Sequence, residues 1–195
     1  MEGNKMAKKL LINCSVCDAR KIQEENYSHY EAITINCATM LTNANGKAVM
    51  NRLPFSLNCS NTLELEEEVD FRVVNGSNEI KSSDLISQKM FYLMVNGSLT
   101  IGTDTQNHLA QCVGISVNGS LICPERIYTA LPNINVNGSV TCYPDDAVVL
   151  KRSAVIDRLF ALRAKNRLYW SAKRMIMTDH ELEGEVLRRR GASFS

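Results

Sequence analysis

The sequence predicts an all-β fold: a right-handed parallel β-solenoid of about seven irregular rungs over residues 8–147, with a strand-and-helix extension over residues 148–195. Three observations predict it. A four-residue motif recurs as INCS at 12–15, INCA at 35–38, LNCS at 57–60, and VNGS at 74–77, 95–98, 117–120 and 136–139. Its asparagines, Asn13, Asn36, Asn58, Asn75, Asn96, Asn118 and Asn137, stand 23, 22, 17, 21, 22 and 19 residues apart. A period near 20 that varies only between copies is the habit of stacked-repeat chains. The second observation is a spacing of two. Leu10, Ile33, Phe55, Leu93, Ile115 and Ile134 each stand two places before the apolar residue that precedes Asn, which is strand periodicity. Arg72 holds that place in the fourth copy. The third is Asn-Gly itself, which accepts positive φ more cheaply than other dipeptides and so marks a bend between two extended segments.

Each repeat therefore reads as strand, sharp bend, strand. Five residues after Asn the column reads Asp18, Leu41, Leu63, Ile80, Ile101, Cys123 and Cys142, which gives the second extended segment its apolar face. A hairpin series would place matched strands around every Asn-Gly with a further turn between copies. Here the connectors are long and uneven while the Asn column repeats, so parallel stacking is preferred. Asn side chains at the roughly 4.8 Å spacing of paired strands then hydrogen-bond up and down the column. A leucine-rich-repeat-like horseshoe is the alternative, since its period also fits and residues 112–117 and 131–136 read apolar-x-x-apolar-x-apolar.

The last repeat ends in a turn signal, Cys142-Tyr143-Pro144-Asp145-Asp146. Over residues 148–177 neither a strand nor a helix period wins, and strands that cover or extend the stack are expected. A helix is expected near 179–190. Thr178 and Glu181 make a capping box, Leu182, Val186 and Leu187 form one apolar face, Arg188, Arg189 and Arg190 complement its C-terminus, and Gly191 stops it. Residues 192–195 read as the opening of another strand, as in a truncated architectural unit.

Composition narrows the function classes. The chain has 195 residues, 45% of them hydrophobic, and a net charge of +1, which gives no global attraction to nucleic acid. No apolar run reaches the length of a membrane span and no signal-peptide pattern is present, so a cytoplasmic location is expected. Seven cysteines, an odd number, fit reduced thiols. Charge is nevertheless segregated. Residues 23–84 carry four bases and ten acids, whereas residues 148–195 carry eleven bases and five acids. Unlike ends of this kind favour self-association that salt weakens.

Candidate sites are few. The seven asparagines are read as a structural bend column. Six of the seven also satisfy Asn-x-Ser/Thr, but the sequon explains none of the periodicity. Cys14 and Cys17 form the only CxxC and are weak metal candidates, because no second pair stands at ligand spacing. Cys14, Cys37 and Cys59 share one repeat position, which points to packing, and Cys123 and Cys142 begin a second thiol column. His29, His108 and His180 lie in different contexts, and Asp145-Asp146 reads as a turn. No nucleophile elbow, phosphate loop or HExxH is present, so no catalytic residue, cofactor or metal is expected.

Stretches such as LMVNGSLTIG at 93–102 give residues 10–145 a pattern that resembles the bactofilins, bacterial polymer-forming cytoskeletal proteins built from short β-solenoid rungs. The resemblance implies a non-catalytic, self-associating scaffold. A ligand- or glycan-binding solenoid needs an aromatic strip on one face, and a carbohydrate-active enzyme needs carboxylates clustered across neighbouring rungs. The sparse aromatic residues follow no repeat phase.

Overall fold

The computed structural model describes residues 8–80, 89–105, 109–131, 133–150, 155–164, 166–172, 176–177 and 193–194. The chain divides into two compact units, Met1–Asp70 and Phe71–Ser195.

The first unit is built on a three-stranded parallel sheet in the order β1 (Lys9–Asp18), β2 (Ala32–Thr42), β3 (Phe55–Glu64). Helix α1 (Ala44–Arg52) connects the second and third strands. Its cap is Asn43, whose side-chain oxygen accepts from the Gly46 amide at 2.8 Å, meeting one of the donors a helix start leaves open. Alternation does the rest. Ile33 and Ile35 of the central strand are fully buried, and Leu10, Ile12 and Phe55 from the two flanking strands pack on them. Arg20 is 6% exposed, and its guanidinium grips Asp18 while donating to the carbonyls of Glu66 (2.9 Å) and Val69 (2.7 Å).

The second unit holds β4 (Asp70–Asn75), β5 (Asn78–Ile80), β6 (Phe91–Ile101), β7 (Cys112–Pro124) and, after helix α2 (Glu125–Ala130), β8 (Ile134–Tyr143). Its main sheet runs β4-β6-β7-β8, with β5 paired to β6. The pairings β5·β6, β6·β7 and β7·β8 are parallel and bring like repeat positions together, as in Val95↔Val117↔Val136 and Asn96↔Asn118↔Asn137. Leu93, Val95, Leu99, Ile101, Ile115, Val117 and Leu121 form the core, and Val74 and Val136 pack against it half-buried. Short elements follow: β9 (Val148–Val149), β10 (Val155–Ile156), α3 (Arg158–Arg163), β11 (Leu168–Trp170), β12 (Ile176–Met177) and β13 (Ser193–Phe194). They form two small parallel sheets, β13-β11-β9 and β10-β12.

Several expectations are corrected. No closed right-handed solenoid of seven rungs is described. The seven repeat strands fall into two sheets, three in one and four in the other, and helices make the chain mostly rather than wholly β. The physical reason lies at Asn. Each strand of ten or more residues continues through it, and helices and turns connect one strand to the next. A horseshoe's regular alternation fails too, since among the described residues only α1 and α2 join repeat strands as α-helices. The covering strands expected over 148–177 are only two or three residues long and are interrupted by α3, capped by Asp157 accepting from the Phe160 amide. The helix expected near 179–190 lies outside the described residues.

Candidate functional site

Local strand geometry sets the asparagines in line. Because the paired strands are parallel and in register at the motif, asparagines face each other across neighbouring strands. Asn36 Nδ2 donates to Asn13 Oδ1 at 2.7 Å and Asn58 Nδ2 to Asn36 Oδ1 at 2.8 Å. In the second unit Asn96 donates to Asn75 at 3.0 Å and Asn118 to Asn96 at 2.9 Å, with Asn137 next in register. Six of the seven residues are thus joined in two ladders, and Asn137 stands in register beside the second. Every observed bond runs in one sense, with the later strand giving its amide to the earlier.

The residue after Asn differs between the sheets. In the VNGS copies Gly97, Gly119 and Gly138 take φ of +143°, +149° and +151°. A side chain there would run into the carbonyl of the glycine on the strand before it: Gly76, Gly97 and Gly119 respectively. Cys14, Cys37 and Cys59 hold that place in the first sheet with ordinary backbone, so the same column is a glycine seam in one unit and a thiol column in the other.

All seven cysteines are free. Cys14 is exposed, and Cys17, Cys37 and Cys59 are half-buried. Burial first, and then the neighbouring Cys14 and Cys37, push the Cys17 thiol up to about 11. Burial likewise raises Cys37, takes Cys112 to about 11 and, with Cys142 beside it, takes Cys123 to about 12. Such thiols stay protonated at neutral pH and make poor nucleophiles. Among the described residues no group of three or more His, Cys, Asp or Glu is arranged to hold a metal, and Cys14 with Cys17 does not complete one. His29 lies against Tyr30, while His108 and His180 lie outside the described residues.

The second unit carries a cleft of about 1120 Å³ that motif reading did not reveal. Ser98, Thr100 and Ser120 of β6 and β7 line it with hydroxyls, and Ser120 donates to Ser98 at 2.8 Å. Glu79, Asp104, Asp145 and Asp146 add carboxylates. Asp145, read from sequence as a turn residue, also accepts from the Arg126 amide. Tyr143 and Trp170 stack with centroids 5.2 Å apart, and the Tyr143 hydroxyl donates to the Ile101 carbonyl at 2.8 Å. Burial first, then Cys123 and the carboxylates of Asp104, Glu79 and Asp145, hold that phenol above its ordinary range. Phasing of Ser98 and Ser120 was visible in the repeats. Their meeting with Trp170 was not, because no repeat contains it.

The third feature is edge exposure. Central β2 and β7 are largely buried, whereas β1 and β8 are open along most of their length. Val117 is 1% exposed, but Val140 of β8 reaches 40% and Leu11 of β1 reaches 61%. No described helix is long and apolar enough to cross a membrane. No family model, curated protein or solved structure matches the chain, so no family is assigned to it.

Proposed function

We propose that this protein is a non-catalytic structural scaffold that assembles with copies of itself through the open edges of its parallel sheets. One observation carries the reading. Strands with the same repeat sequence are buried when flanked on both sides and exposed when flanked on one, so among the described residues β1 and β8 offer unpaired main-chain groups beside apolar side chains. Such edges are templates for strand addition, and proteins that keep them free normally blunt them with charge, proline or cover. β8 from Ile134 to Tyr143 contains neither charge nor proline. Free thiols throughout fit a reducing compartment such as the cytoplasm. Sedimentation velocity over a concentration series tests the reading. Mass should rise with concentration, and a monomer at every concentration rejects it.

A second reading, a ligand-binding module, is favoured by the cleft, whose hydroxyls and carboxylates suit a polyhydroxylated ligand such as a saccharide. Trp170 is the sole tryptophan, so its fluorescence reports occupancy directly. Titration with an oligosaccharide panel should shift its emission saturably, and no shift across the panel removes this reading.

A further inference from the structure

β1 and β8 differ from their buried counterparts in one respect: among the described residues, each ends its sheet. Aligned on the motif, Leu10 falls beside Ile134, Ile12 beside Val136, Asn13 beside Asn137, Ser15 beside Ser139 and Val16 beside Val140. Pairs of the same kind are already made inside the molecule, as Leu10↔Ile33, Ile12↔Ile35 and Asn13↔Asn36 in one sheet and Ile115↔Ile134, Val117↔Val136 and Asn118↔Asn137 in the other. Each edge therefore carries the side-chain columns that the other edge would extend.

Ladder direction adds what apolar matching lacks. All four observed Asn bonds run from the later strand to the earlier. Continued outward, that order leaves Asn13 with its Nδ2 to give beyond β1 and Asn137 with its Oδ1 to receive beyond β8. Two β1 edges would bring donor to donor, and two β8 edges acceptor to acceptor, and either symmetric pairing would also be antiparallel. Of the pairings these two edges can make, β1 against β8 is the one that keeps the strands parallel, in register and correctly hydrogen-bonded. Asn58 and Asn75 carry the same two complementary ends on β3 and β4, but β3 ends in Glu64 and the six-residue β4 carries Asp70 and Arg72, whereas β8 carries no charge.

We propose that the partner is a second copy of this chain, docked head to tail, with β1 of one copy adding to β8 of the next in the register that sets Asn13 against Asn137. This rests on the self-association reading above and specifies which edges meet. The contact is heterologous: every added copy presents a fresh β8 or β1, and assembly continues.

Complementation tests it. Ile12→Lys places a charge on the half-buried face of β1, and Val136→Lys does the same on β8. At an open edge the long side chain reaches water, but a docked strand would bury it. Each variant alone should be monomeric where the wild type assembles, with at least about a tenfold weaker association. Their equimolar mixture retains one intact β1 and one intact β8, so it should form a 1:1 dimer that grows no further. If melting shows that either variant has lost its fold, Val16→Lys and Val140→Lys replace the pair. Variants that assemble alone as the wild type does, or a mixture that stays monomeric, overturn the β1·β8 pairing while leaving self-association through other edges. A monomeric wild type overturns both readings.

Discussion

At Gly119 the motif is decided by a single absent carbon. Its φ of +149° is one that L side chains rarely adopt, and a Cβ would collide with the carbonyl of Gly97 on the neighbouring strand. Backbone cannot give way as a flexible side chain can, so strain and collision add. Gly119→Ala should therefore cost roughly 3 kcal/mol or more, combining about 1–3 kcal/mol for the backbone region with displacement of the paired strand. Gly76 is the internal control. It shares the positive φ (+90°), but a Cβ there meets nothing within 4 Å, so Gly76→Ala should cost only about 1 kcal/mol. Urea denaturation of both variants measures the difference, and equal losses would place the whole cost in φ. The cysteine copies escape this constraint because their backbone stays at negative φ, which explains how one motif tolerates Cys in one sheet and demands Gly in the other.

Among the elements, the link after β3 depends on one buried cation. Arg20 bonds to Asp18 and to two carbonyls of the 65–69 segment, and its own side-chain bond holds the Asp18 carboxyl below the usual carboxylate range. Arg20→Ala orphans the Glu66 and Val69 carbonyls, at roughly 1–3 kcal/mol for each that water cannot reach. The pH sign follows from the depressed value. Unfolded Asp18 binds its proton near about 3.9, so the pair's stabilisation is fully present above that pH and is lost as pH falls through the lower folded value. Thermal melts from about pH 5 downward should show a decline that Asp18→Asn flattens, and parallel curves for both proteins would remove Asp18 as a cause. Legibility in the sequence followed the same physics. The repeat strands and their register were readable because apolar periodicity and Asn recur together. α1 was not, since Asn, Gly and Val in ANGKAVMNR are indifferent helix formers and the Asn43 cap only shows its role once folded. The division into two sheets was illegible for a subtler reason. Columns such as Asn13, Asn36 and Asn58 look the same whether the next repeat joins their sheet or starts another. The cleft was hidden because Trp170, Ser98 and Asp104 come together only through tertiary structure.

For the whole molecule, the proposed assembly would draw on the segregation of charge and the chemistry of the sheet edges at different steps. Acidic residues dominate 23–84 and basic residues 148–195, and in the proposed assembly such unlike charge would steer two copies before contact. The proposed contact itself holds little charge. β8 has none, and β1 contributes only Lys9 and Asp18 at its extremities. Main-chain bonds, the valine and isoleucine columns and the Asn bond are barely screened by salt. Exposed charges are screened strongly, over a distance that contracts from about 30 Å at 0.01 M to about 3 Å at 1 M ionic strength. Raising salt across that range should therefore slow association while leaving dissociation nearly unchanged, the pattern of a steering field around an uncharged contact. Light scattering after mixing gives the first rate, and dilution of preformed assemblies gives the second. If dissociation accelerates with salt as steeply as association slows, ion pairs hold the copies together, and the edge strands are not the principal contact.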